Sequence, residues 1–178
     1  MAALLVAVAA CSDDGGGSDI TGNSTTTVAD MSAPDPSTRE TPMVEEIGAA
    51  ITALEAQLGG PQQYFEVNAT SKLVNLFVSL NDGAIAQPWV YLGGQLTSQE
   101  GQAAGGGTFA ATDLDFDPAT VLSKVLTELP GATIESFYIN GDGKGNVQYG
   151  ALVTSAQGGG LDVLLGPNGE ILAVDPVN

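Results

Sequence analysis

Beyond position 42 the hydrophobic pattern changes period, from about 3.6 to 2, and then does so a second time. Ile47, Ile51, Leu54 and Leu58 recur at helical spacing, which puts an apolar stripe along one side of a helix. Thr41 stands ahead of it as an N-cap, Pro42 suits the first helical position, and Glu45 and Glu46 lie near the positive end of the dipole. Gly59-Gly60-Pro61 stops the helix. The period then becomes two. Phe65, Val67 and Ala69 alternate with Tyr64, Glu66 and Asn68, and Val74, Leu76, Val78 and Leu80 form an apolar face up to an Asn81-Asp82-Gly83 turn. Trp89 and Tyr91 mark a third strand, where Pro88 signals an edge or a bulge because it brings no N–H to a ladder. After Gly105-Gly106-Gly107, Leu114 and Phe116 point opposite to Asp113 and Asp115 as a further strand.

The same grammar follows from Asp117. That residue caps, Pro118 enters the helix, Leu122, Val125 and Leu129 form the stripe, and Pro130-Gly131 ends it. Ile134 to Ile139 is a strand, Asn140-Gly141-Asp142-Gly143 a hairpin turn, and Val147, Tyr149, Ala151 and Val153 the apolar face of the next strand. Leu161 to Leu165 and Ile171 to Val174, joined by Pro167-Asn168-Gly169, complete a last hairpin. The expected fold class is α+β. Residues 42–178 form two similar halves (42–116 and 117–178), each one helix followed by about four antiparallel strands, with the helix covering one sheet face.

The first 41 residues read differently. Ser12 to Thr41 is rich in Ser, Thr, Gly, Asp and Pro, with only isolated Ile20, Val28 and Met31. Such a stretch cannot bury enough apolar area to offset the entropy of ordering, so it is expected to be a disordered tether. As a flexible coil it would reach about 30 Å. Ahead of it, Ala2 to Ala10 is uninterrupted apolar chain, too short for the ~20 residues of a spanning helix but suited to the apolar core of an export signal. Val8-Ala9-Ala10-Cys11 resembles the lipobox of bacterial lipoproteins, in which small residues precede a cysteine that is lipidated and becomes the new N-terminus. The resemblance implies a truncated signal peptide over residues 1–10 and a lipid-anchored tether over 11–41. Acyl chains on Cys11, of the palmitate type, would hold the protein to the extracytoplasmic face of the cell membrane. Without lipidation, the same run would instead pack as a short buried helix with Cys11 an inert thiol.

Charge narrows the partners. Four basic residues, Arg39, Lys72, Lys124 and Lys144, stand against 21 acidic ones, for a net charge of −17. That balance argues against nucleic acid, whose phosphates are bound by Lys and Arg. It suits solubility, a basic partner protein, or weak divalent-cation binding.

The residue inventory removes much catalytic chemistry. There is no histidine, so Ser-His-Asp triads, Cys-His dyads and His-ligated metal sites cannot be built. In the lipoprotein reading the single cysteine is consumed by lipidation, which leaves neither a thiol nucleophile nor a disulfide. A Ser-x-x-Lys pair is absent too, since Ala69, Val121 and Gly141 stand three positions before the lysines. No catalytic, cofactor or resident metal site is expected.

Three constellations remain. Asp113-x-Asp115-x-Asp117 spaces carboxylates as a calcium loop does, but its sixth position is Pro118 and its twelfth Lys124. It therefore reads as two solvent-facing strand aspartates and a helix cap. Gly141-Asp142-Gly143-Lys144-Gly145-Asn146 lacks both the spacing and the following helix of a phosphate loop and reads as a hairpin. Tyr64, Trp89, Tyr91, Tyr138 and Tyr149 are either core and cross-strand pairs or the lining of an apolar pocket.

From Leu129-Pro130-Gly131-Ala132 through the strand ending in Tyr149 to Val163-Leu164-Leu165-Gly166-Pro167-Asn168-Gly169-Glu170-Ile171-Leu172, the layout resembles a PepSY-type domain. Residues 118–175 follow it and 43–116 form a degenerate copy. The resemblance implies a non-catalytic module of secreted or lipid-anchored proteins that restrains a peptidase or binds a ligand in the envelope. The expectation is thus a binding or regulatory module for another envelope protein. Its rivals are a carrier or sensor of an apolar envelope ligand and an enzyme built on paired carboxylates.

Overall fold

Residues 41–177, those described by the computed structural model, open with a 3-10 turn at Val44–Glu46 that runs into α1, Ile47–Leu58. Cys11, the apolar run before it and the tether up to position 40 lie outside the described residues. The helix starts later than its sequence suggests. Thr41 caps nothing, because the Met43 N–H is bonded to the Thr70 carbonyl at 3.0 Å and holds this stretch against a strand end. Ile47, Ala50, Ile51 and Leu54 are buried at i, i+3, i+4 and i+7. The expected Leu58 is exposed instead, in the last turn before left-handed Gly59 (φ 84°).

Ten strands form one sheet in which every pairing is antiparallel. They are β1 Gln63–Thr70, β2 Val74–Leu80, β3 Ile85–Leu92, β4 Gln95–Ser98, β5 Gln102–Ala103, β6 Phe109–Ala110, β7 Thr133–Gly141, β8 Val147–Thr154, β9 Gly160–Leu165 and β10 Ile171–Val177. Their order is β10-β9-β8-β7-β1-β2-β3-β4, with β5 beside β3 and β6 beside β1. The α+β class holds, with strands far outweighing helix. The two stretches differ in detail: α1 has 12 residues, whereas α2, Ser123–Glu128, has 6.

Asp117 caps as its place in the sequence suggests: its carboxylate accepts the Ala119 N–H at 3.0 Å and the Thr120 hydroxyl at 2.9 Å, and its carbonyl accepts the Val121 N–H at 2.9 Å. The second helix is still shorter than its pattern, because the Ser123 N–H bonds the Thr120 carbonyl at 2.9 Å, three residues back, and residues 118–122 form turns ahead of the regular helix. Val121, Leu122 and Val125 still face the core. The strand expected over 113–116 is a 3-10 turn at Ala111–Asp113 followed by extended chain with no ladder partner, although Leu114 and Phe116 do pack inward. In β1 a bulge between Tyr64 and Glu66 reverses the expected facing at its start. Tyr64, not Phe65, joins Val67 and Ala69 inside. Pro88 sits where the outer partner of β3 changes from β4 to β5, and its carbonyl accepts the Gln99 N–H there at 2.9 Å. Since N–H and C=O of a strand residue point to the same edge, the missing donor faces that gap.

α1, the 111–122 segment and α2 all lie on one face of the sheet. Val67, Leu76, Val78, Phe137, Ile139, Ala151 and Val163 project into that layer, each almost inaccessible to solvent. Apart from Ala151, burying side chains of this size contributes roughly 1.5–3 kcal/mol apiece. Among the described residues, no helix packs on the opposite face, where Glu66, Asn68, Asn75, Phe77, Tyr138 and Leu164 are half-buried and Leu152 is exposed.

Candidate functional site

A cleft of about 490 Å³, open to solvent, draws residues from each of the three constellations read from the sequence. Asp113 arrives at the end of the 3-10 turn, Asp115 on the extended chain after it, and Gly145 and Asn146 on the β7–β8 hairpin. Tyr149 of β8 lies between them, with Leu164 to Pro167 and Leu172 on the remaining wall. Aromatic packing shapes the floor: the Phe116 ring lies 5.3 Å from Phe137 and 5.5 Å from Tyr149, and Phe137 stacks on Tyr149 at 6.3 Å.

The polar groups are tied to one another. The Tyr149 hydroxyl donates to Asp115 Oδ1 at 2.8 Å and accepts the Asp115 N–H at 3.1 Å. Asp113 Oδ2 accepts the Ala110 N–H at 2.8 Å, closing its own turn. Asp142 accepts from the Lys144 and Asn146 N–H groups at 2.7 and 2.9 Å and from the Asn146 amide at 2.8 Å, and these bonds hold its carboxyl below the usual range. Asp117 is turned to the 119–120 turn. The three aspartates of the motif therefore do not converge, and among the described residues no group of three His, Cys, Asp or Glu could hold a metal ion.

Burial pushes the Tyr149 phenol from its ordinary 10.0 up to about 12, with the Asp115 and Asp113 charges adding to the rise against the opposing Asp115 N–H. The group is thus a fixed donor at neutral pH and offers no phenolate. A raised folded value means that its contribution is intact below pH 10 and is lost as pH climbs through about 12. Tyr149→Phe is expected to flatten the decline of stability between those values, as read from urea midpoints at successive alkaline pH. An unchanged slope would show that Tyr149 is not coupled to folding.

The five aromatics do not share a pocket. Tyr64 is buried against Phe109 at 5.9 Å and donates to Glu55 Oε1 at 3.3 Å. Trp89 lies on the helix-covered face, its buried Nε1 without a hydrogen-bond partner. Tyr91 packs at the margin of the core, and Tyr138 projects from the opposite face. Burial, then the neighbouring carboxylates, push Tyr64 and Tyr138 upward as well. A second cleft of about 310 Å³ runs between α1 and residues 111–118, lined by Ile51, Leu114 and Phe116. It too is open.

Over the described residues, fold and site together define an α+β protein with an antiparallel sheet covered by helices on one face and an acidic, tyrosine-floored cleft. The chain matches no family model, no curated protein and no solved structure.

Proposed function

We propose that the protein is an envelope lipoprotein, held through acylated Cys11 and the tether of residues 11–41, whose folded part is a non-catalytic binding module for a basic envelope protein. The observation that carries this reading is the one-sided sheet. Its covered face is filled, while its ten strands hold Glu66, Glu135, Asp162 and Asp175 but no lysine or arginine. Two PepSY-like halves are part of the proposal. What supports them is the strand order, in which β1-β2-β3-β4 and β7-β8-β9-β10 run outward from the central β1–β7 pair. The rival carrier of an apolar ligand needs room between helix and sheet. Ile47, Leu54, Tyr64, Leu76 and Phe137 occupy that space.

Crosslinking in intact cells, followed by titration of the captured protein at about 50 and 500 mM salt, tests the proposal. Affinity should fall as the screening length drops well below ~10 Å. Cys11→Ala should move the protein to the soluble fraction, and the native N-terminal peptide should carry acyl mass. Recovery of a lipid with no protein at either salt would favour the carrier.

A further inference from the structure

We infer that the open face of β7, β8 and β9 receives an arginine from an extended partner segment, its guanidinium stacked on the Tyr138 ring and paired with Asp162. This rests on the binding-module reading and names the chemistry of its contact. Tyr138 lies across β8 rather than standing off the sheet. A Cβ placed on Gly150, its cross-strand neighbour, would meet Tyr138 Cζ at 2.2 Å and Oη at 2.3 Å. Only glycine lets the phenol rest there, one ring face on the backbone and the half-buried ring otherwise toward solvent.

From that position the hydroxyl reaches Asp162 Oδ1 on β9 at 2.6 Å, which fixes the carboxylate and leaves Oδ2 for a second donor. On the other side Asn68 is the register partner of Tyr138, and Glu66 lies diagonal to it, bonded through Oε1 to the Asn68 amide at 2.6 Å. A further acid, Asp175, stands directly opposite Asp162 on β10. Like charges in that relation repel, and a cation between them relieves the repulsion. Leu164, beyond Gly150, and exposed Leu152, opposite Asp162, supply apolar area beside the charge. A flat ring, a fixed carboxylate and an apolar margin fit a planar guanidinium better than an ammonium, because the former stacks and donates two parallel N–H groups.

The probe is a blocked nonapeptide alternating arginine and valine, titrated calorimetrically into the full chain at 50 mM salt, with lysine and glutamine analogues alongside. The arginine peptide should bind, the lysine analogue severalfold more weakly, and the glutamine analogue not measurably. Amide shifts should map to β7–β9. Tyr138→Leu and Asp162→Asn should each cost about tenfold, whereas Tyr138→Phe, which keeps the ring, should cost only about twofold. Asp162→Asn keeps shape and an acceptor, so it remains informative should Tyr138→Leu fail to fold. Binding that maps elsewhere, or that ignores both variants, overturns this inference and leaves the binding module standing. No binding by the arginine peptide also overturns it, and intact-cell crosslinking then decides the broader reading separately.

Discussion

Phe137→Ala should lower the stability of the folded region by about 3–5 kcal/mol, measured as the shift in urea midpoint at unchanged slope. The residue is fully buried on β7, and two other rings depend on it, Phe116 at 5.3 Å and Tyr149 at 6.3 Å. Truncation removes the transfer energy of a phenyl group and leaves a cavity that a sheet strand bonded on both sides cannot collapse to fill. Phe137 also supports the cleft from below. Its loss should free Tyr149 from Asp115 and move the alkaline dependence described above. A penalty below about 1 kcal/mol would mean that the aromatic layer is not packed as observed.

The second large effect comes from a glycine. In the β9–β10 turn, Gly169 has φ 73° and lies against the chain leading into α2. A Cβ there would fall 2.3 Å from the Val121 carbonyl oxygen and 2.9 Å from its carbon. The obstacle is backbone, so no rotamer change removes it. Gly169→Ala should cost about 3 kcal/mol or more, combining left-handed strain with displacement of one segment from the other. Gly83→Ala is the matched control. Gly83 has φ 87° but nothing within 4 Å of the added carbon, so it should lose only the ~1–2 kcal/mol of conformational strain. Equal losses at the two positions would refute the close approach.

This pairing of glycines bears on how far the sequence can be read. Pro167-Asn168-Gly169 is legible as a turn, since its residue types suit one. That the same glycine admits the Val121 carbonyl is not, because the two positions are nearly fifty residues apart. The cleft divides the same way. Asp113, Asp115, Tyr149 and the 141–146 hairpin stand out in the sequence as separate features, and their meeting in one cleft depends on chain crossing the sheet. Leu164 to Pro167 and Leu172 give no signal of their own. Gly150 gives one, a glycine inside a strand, but not that Tyr138 lies on it.

What the sequence determines by itself is the local part of this protein: helical stripes, alternation, turns, the acidic balance and the missing histidine. Each follows from neighbouring residues or from composition, and apolar periodicity selects helix or strand without reference to the rest of the chain. The tertiary structure decides the remainder. Tyr64 rather than Phe65 turns inward because a bulge against β2 resets the strand. α2 shrinks because the Ser123 N–H bonds the Thr120 carbonyl, three residues back, so the turns after the Asp117 cap do not run on as regular helix. β1 and β7, far apart in sequence, pair at the centre of the sheet and so decide which residues share its open face. Register and strand order are set by hydrogen bonds between distant segments, and a shift of one residue would exchange the two faces.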